Sequence, residues 1–440
     1  MKKSIMILGT LLIFLFILQA ADKPADYDDY WPQWRGPLVN GVAPNGNPPL
    51  VWSEDQNITW KVDIPGKGHA TPIIWKDRIY LATAVDTGKS GRSAEEGGGR
   101  SRGRSTSNIH KFIVLAVERG SGEILWQKTV KEEMPQEATH DLGSWASNSP
   151  ITDGEHLYAY FGSRGIYCLD LEGKLKWEKD FGQMSKRNSF GEGASPALYG
   201  DKLIITWDHE EDSFIIALDK KTGKTIWKVE RDESSTWVTP YVIEFAGKRQ
   251  VITPGTKRIR SYDLETGNLI WECGGLTSNP IPMPVKIDDT VIVMTGHRGF
   301  SLLAIDLKKA KGDITGTGAI VWSLDKDTPY TPAPLLVGNR LYFLKSNNGI
   351  LSCYDAKTGG EFYSAQRLEG LGNLYTSPVA AKDRVYILGQ KGLTYVVKEG
   401  TQFEVLAKNQ LGGEFHSSPA IVGKTMYIRS FTHLYCIEEK

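Results

Sequence analysis

Apolar runs of strand length, cut at short intervals by turn residues, fill most of this chain. "SPALYG", "KLIITW", "FIIALD" and "KTIWKVE", read between residues 195 and 230, are one example of a unit of four short strands. The unit repeats. A Ser/Thr-Pro-like dipeptide opens each copy, with its proline at 72, 150, 196, 240, 284, 334, 378 and 419, spaced 41 to 50 residues apart except for one gap of 78. In seven copies the next strand opens seven residues later, at Ile79, Leu157, Leu203, Val291, Leu341, Val385 and Met426; in the fourth copy, which is longer, Val251 takes that role. Turn pairs such as Asp153-Gly154, Gly200-Asp201 and Gly338-Asn339 supply the backbone freedom of a tight hairpin. Eight four-stranded antiparallel units of this period predict an all-β, eight-bladed β-propeller.

The last unit stops after three strands. "NITWKVDI" (57–64) matches the missing outer strand, with Trp60 where other units carry Trp126, Trp177, Trp227, Trp271 and Trp322. Pairing this N-terminal strand with the C-terminal blade closes the ring and removes its exposed edges. The expected organisation is a signal peptide (1–20), an N-terminal extension (21–56) and the propeller (57–440). The long gap between prolines falls in "DTGKSGRSAEEGGGRSRGRSTSN" (86–108), a Gly/Ser/Arg-rich loop insertion that reads as disordered.

Two columns of the third strands look chemical and read as structural. Cys168, Cys353 and Cys436 share a slot that elsewhere takes Ala116, Ala217, Ser261, Ala304 and Val396, so a small buried side chain is what the slot requires. Cys273 stands alone. Free thiols are expected, since the cysteines fall in different blades. The other column is acidic, from Glu118 through Asp170, Asp219, Asp263, Asp306 and Asp355 to Glu438. One carboxylate per blade ahead of a Thr-Gly turn is the pattern of a turn acceptor. Gly-Lys-Thr at 223–225 suggests a phosphate loop, but the position five residues ahead is Leu218 where a glycine is needed, and related phrases recur in other blades.

Composition narrows function only a little. Lys plus Arg equals Asp plus Glu, at 52 each, so no net field favours nucleic acid. Lys2 and Lys3 precede an apolar run from Ile5 to Leu18, of signal-peptide length and short for a membrane span. The chain is therefore expected to be exported to the periplasm or beyond, and soluble once cleaved. No nucleophile elbow, zinc-protease helix or dinucleotide fingerprint occurs.

Loops on a rigid scaffold are where function is sought. Those between blades and those joining second to third strands open on one face, around the channel mouth. They offer His69, Asn148, Glu192, Trp237, Lys257, Arg258, His297, Arg298 and His416 as candidate binding residues. His69 and His416 hold neighbouring places in blades one and eight, but no third metal ligand is evident. The acidic cluster Asp208-His209-Glu210-Glu211-Asp212 lacks the spacing of a calcium loop and reads as solvated. No metal site is expected.

The repeat S-P-(x)7-[IVL]-Y with [LIV]-Y-[CA]-[LI]-D-x-x-T-G-K-x-x-W resembles the pyrroloquinoline-quinone (PQQ) repeat, from about residue 58 to 440. That repeat occurs in quinoprotein dehydrogenases and in the outer-membrane assembly factor BamB. "WPQWRGP" (31–37) and "RSFTHLYCI" (429–437) look like a subfamily of exported bacterial propellers. Resemblance to the dehydrogenases implies PQQ with Ca²⁺, adjacent cysteines over the quinone and a catalytic Asp; the four cysteines here form no adjacent pair. Resemblance to BamB implies a binding scaffold. The expected function is a non-catalytic scaffold for a protein or polymer partner, polysaccharide included. The alternatives are a PQQ-dependent oxidoreductase and a carbohydrate-binding or carbohydrate-active propeller.

Overall fold

Each repeat folds into one antiparallel sheet, and the eight sheets form a propeller ring. The computed structural model describes residues 24–91 and 108–440. The signal segment expected over 1–20, and residues 92–107 of the expected loop, lie outside the described residues. The loop's flanks are strand: Asp86 pairs with His110 and Ser90 with Asn108, so the insertion begins as an extension of the hairpin Arg78–Ser90 and Asn108–Glu118. Among the described residues, no helix is long and apolar enough to cross a membrane.

The ring closes as the pattern predicts. Ile58–Asp63 lies antiparallel to His433–Ile437, with Trp60 opposite Cys436, and supplies the outer strand of the blade built by Ala420–Val422, Thr425–Arg429 and His433–Ile437. In most blades the middle strands are fully buried while the outer strand alternates between half-buried and exposed residues. Apolar clusters fill the spaces between neighbouring blades.

The repeated residues work across the seams. In the Ser/Thr-Pro dipeptide, the hydroxyl accepts the backbone N–H of the equivalent residue in the preceding blade. Thr71 donates to Ser149 Oγ (2.9 Å), Ser149 to Ser195 Oγ (2.9 Å) and Ser195 to Thr239 Oγ1 (3.1 Å). The belt lapses where Met283 and Ala333 replace the hydroxyl, then resumes from Ala333 to Ser377 and from Ser377 to Ser418, each 2.9 Å. Ser149→Ala would strand the buried Thr71 N–H. It is expected to cost about 1–2 kcal/mol, measured as a lower urea midpoint with an unchanged slope.

On the outer rim, the tryptophan of one blade seals the Asp-x-x-Thr-Gly turn of the next. Trp60, Trp126, Trp177, Trp227 and Trp322 donate their indole N–H to the carbonyls of Arg119, Leu171, Lys220, Leu264 and Ala356, at 2.9–3.2 Å. Gly267 shows why the turn needs glycine. Its φ is +74°, and a β-carbon there would sit 2.9 Å from the Trp227 ring. The acidic column is a turn device, as its spacing implied: Asp219, Asp263 and Asp355 each accept the N–H and hydroxyl of the Thr three residues on. Trp271 departs from the column. It is fully buried and donates to Gln250 in its own blade (3.2 Å), because the fifth blade carries a longer turn whose Gly312–Asp313 pairs alongside Leu269–Cys273. The four cysteines are buried and unpaired, in four different blades.

The extension does more than precede the ring. Residues 31–42 thread the central channel and bond to the inner strands of four blades. Trp31 exchanges backbone hydrogen bonds with Ile74, Pro32 accepts from Thr152, Asn40 donates to Leu336, and Val42–Ala43 runs parallel to Val379–Ala381. Arg35, 2% exposed, is the hub of this plug; its guanidinium donates to the carbonyls of Pro334, Pro378 and Asn40, all at 2.9 Å.

Candidate functional site

Above the plug, the channel opens as a cavity of about 430 Å³ with Trp34 of the extension among its walls. Its shape follows from register. The residue three places before each blade proline points inward, and all eight contribute: His69, Ser147, Gly193, Trp237, Ile281, Thr331, Tyr375 and His416. Of the candidates read from the sequence, His69, Glu192, Trp237, His297 and His416 line the cavity together.

The other four lie elsewhere. Asn148 is buried one position along the loop that leads into the second blade, and its Nδ2 donates to the Ala194 carbonyl (2.7 Å). Arg258 pairs with Asp313 (2.9 Å) and Lys257 with Asp232 (3.6 Å), both on the outer side of the fourth blade. Arg298 is an exposed loop residue with φ +54°. The sequence reading missed Trp34, whose partners are far off in sequence, and His140 and Phe190, which meet edge to face at 5.4 Å and also line the cavity.

One wall is a stack of near-parallel rings. His416 lies 4.9 Å from His69, 4.9 Å from Phe431 and 5.0 Å from Tyr375, with interplanar angles of 4–19°. Glu414 Oε1 accepts hydrogen bonds from His416 Nε2 (3.1 Å) and from Gln390 Nε2 (2.8 Å). His69 is held far below the usual imidazole range, first by burial and then by the positive neighbours His416, Arg429 and Lys67. Arg429 is itself fully buried; it donates to the carbonyls of Ala82 and Ala70 and has no ion-pair partner among the described residues.

The facing wall is braced from behind. Trp237 donates its indole N–H to Gly191 O (2.8 Å), and Lys186 Nζ lies 4.7 Å from its ring. That ammonium is buried and donates to the carbonyls of Asp208 (2.7 Å) and Thr236 (2.8 Å); burial lowers it to about 8. The Asp208 carboxylate grips Arg231 through two bonds of 2.8 and 3.0 Å, with neither side chain exposed. The acidic cluster expected to be solvated therefore begins with a buried ion pair behind the cavity wall. Glu192, the carboxylate on this wall, accepts from Ser163 N (2.7 Å), Ser163 Oγ (2.5 Å) and Arg164 (3.4 Å).

Glu137 sits beside this network and accepts the Lys186 backbone N–H (3.1 Å). Burial pushes its carboxyl up to about 7, against the pull of that hydrogen bond. The unfolded carboxyl, with its ordinary value of 4.5, sheds its proton first. The native state therefore loses stability relative to the unfolded state as pH climbs from about 4.5 to about 7. Glu137→Gln is expected to flatten that decline, which denaturant titrations at pH 5, 6, 7 and 8 will show.

These residues do not fit PQQ with Ca²⁺. Glu192 is already saturated, no arginine or lysine among the described residues lines the cavity to meet the cofactor's carboxylates, and the cysteines lie in four different blades. Among the described residues, no three His, Cys, Asp or Glu side chains come together as a metal site.

Known proteins share this fold. The solved BamB of Moraxella catarrhalis superposes with a TM-score of 0.58 at 14% identity, over 87% of this chain and 97% of that one. The quinohemoprotein alcohol dehydrogenase of Comamonas testosteroni gives 0.61 at 11% identity, over 93% and 80%; both likenesses are of fold. In sequence, the outer membrane protein assembly factor BamB of Shewanella oneidensis is 21% identical over 271 residues, 55% of this chain. That of Francisella salina is 27% identical over 107 residues, 24% of this chain. The alignments span 62% and 19% of those relatives' own lengths. The family profile described as outer membrane protein assembly factor BamB matches residues 110–365 and 315–440, most of the ring, and the chain belongs to that family.

Proposed function

We propose that this chain is an exported, non-catalytic scaffold that engages a protein partner through the face on which the channel cavity opens. The observation that carries this reading is the state of the cavity's polar groups. Glu192, Trp237 and the serine hydroxyls of the belt are bonded within the protein, while aromatic faces stay open to a guest. A wall of this kind binds by shape and apolar contact. Membership of a family described as an outer membrane assembly factor supports a protein partner, and the basic-then-apolar first twenty residues support export.

The test is site-specific photo-crosslinking in cells. A photoreactive residue at Tyr330, which lines the cavity, is expected to capture a discrete protein partner. The same residue at Gly247, in a hairpin turn on the opposite face, is expected to capture none. Equal capture from both positions, or none from Tyr330, overturns the proposal. So does saturable PQQ binding with dye-linked oxidation of alcohols, which would restore the oxidoreductase reading.

A further inference from the structure

The plug meets four blades at the same place, the second residue after the blade proline. Trp31 exchanges bonds with Ile74 (2.8 and 3.1 Å), Pro32 accepts from Thr152 (2.9 Å), Asn40 reaches Leu336 O (3.4 Å) and Gly41 accepts from Ala380 (2.9 Å). Ile74 stands opposite Ile79 as a pair that exchanges no ladder bonds, which is why its N–H and C=O are free to turn toward the channel. The eighth blade is reached by Asn47, which donates to Gly423 O at 2.7 Å. Blades three, four and five are left out; their equivalent residues are Leu198, Val242 and Lys286. Leu198 stands opposite Leu203 and Val242 opposite Val251, in the register of Ile74 with Ile79. Their N–H and C=O therefore also turn toward the channel, and no group among the described residues takes them.

Both residues line a groove of about 270 Å³ that shares Trp34 with the cavity. Its walls include Pro37, Leu38, Tyr199 and Met283, and none of its lining residues is charged. Leu38 is 42% exposed. Main-chain donors and acceptors on two neighbouring blades, set between apolar walls, match the backbone of an extended segment; a charged side chain buried there would find no partner. The channel already shows the fit, since Val42–Ala43 of the plug pairs parallel to Val379–Ala381. We propose that the groove docks an uncharged, extended segment of a partner protein, paired through its backbone with Leu198 and Val242. The segment continues, over blades three and four, the contact that the plug makes with its own blades. This site is separate from the cavity, and it rests on the scaffold reading only for the source of the segment.

The experiment is calorimetric titration of the purified chain with acetyl-(Thr-Val)3-amide and with its fully N-methylated copy, which keeps the side chains and loses the backbone donors. The methylated copy is expected to bind about 10-fold more weakly, the worth of one or two hydrogen bonds. Leu38→Glu, a change at an exposed position, is expected to weaken the unmethylated peptide by a similar factor. The comparison of the two peptides on the unaltered protein stands whether or not that variant folds. Equal binding of the two peptides, or binding of neither, overturns the proposal. In cells, a photoreactive residue at Leu38 is expected to capture a protein at an uncharged segment, mapped by mass spectrometry, while Gly247 captures none. Capture of a second copy of this chain, of a charged segment, or of nothing from Leu38 overturns the partner segment. Capture from Tyr330 without capture from Leu38 would overturn the groove and leave the scaffold reading intact. Capture from Leu38 without capture from Tyr330 would do the reverse.

Discussion

Asp208→Ala is expected to destabilise the protein by about 3–5 kcal/mol, because it leaves Arg231 charged and uncompensated in a dry seam. The pair is fully buried and doubly bonded, and Asp208 Oδ2 also accepts the Thr236 hydroxyl (2.8 Å). Among the described residues, Arg231 keeps hydrogen bonds to Thr253 Oγ1 (2.7 Å) and the Tyr262 hydroxyl (2.9 Å), neither of which carries charge, while the nearby Glu233 carboxylate is bonded to Arg260 instead. The paired replacement Asp208→Leu with Arg231→Met removes both charges and is expected to recover most of the loss. Guanidinium denaturation of the unaltered protein and the two variants measures this. A single-mutant cost below about 1 kcal/mol would mean that water reaches Arg231 and that the seam is not dry. The Asp208 carbonyl also anchors Lys186 beneath Trp237, so the single variant is expected to loosen the cavity wall, read as a changed tryptophan signal in near-ultraviolet circular dichroism.

The second large effect lies on the outer rim. Trp227→Ala is expected to cost about 3–5 kcal/mol, the range for emptying a buried indole site. Trp227 is 8% exposed, donates to Leu264 O in the next blade, and covers Gly267. Trp227→Phe retains part of the ring and loses the donor, so its cost should fall well below that of alanine. Thermal unfolding followed by near-ultraviolet circular dichroism separates the two. Equal losses for Phe and Ala would show that the hydrogen bond, and not the packing, holds the seam.

The features that make the fold legible in sequence are the ones that act between blades. A Ser/Thr hydroxyl, a Trp and an Asp-x-x-Thr-Gly turn must recur because each seam needs the same parts, and the closing strand could be recognised by Trp60 for that reason. The cavity was less legible. His69, Trp237 and His416 stand out chemically, but the governing rule is register, three residues before the proline, which also selects Ser147, Gly193, Ile281 and Thr331. Asn148 fails that rule by a single residue, and its side chain is spent on the Ala194 carbonyl of the next blade. Lys257, Arg258 and Arg298 come from loops of variable length, where the repeat sets no direction. The plug had no periodic signal at all, since residues 31–42 take their partners from blades one, two, six and seven.

Closing the ring with Ile58–Asp63 also imposes an order of events on synthesis. That strand leaves the ribosome early, and its partner His433–Ile437 is among the last residues made. Until then its ladder edge stays open, and the plug beside it must itself wait for the carbonyls of Pro334 and Pro378, made late in the sixth and seventh blades. A nascent chain thus has blades but no finished channel, and the aromatic stack joining His69 to His416 and Phe431 cannot form. The cavity is a property of the completed molecule only. A chain cut short before its final strand lacks the cavity and presents an open strand edge, the kind of edge that invites aggregation.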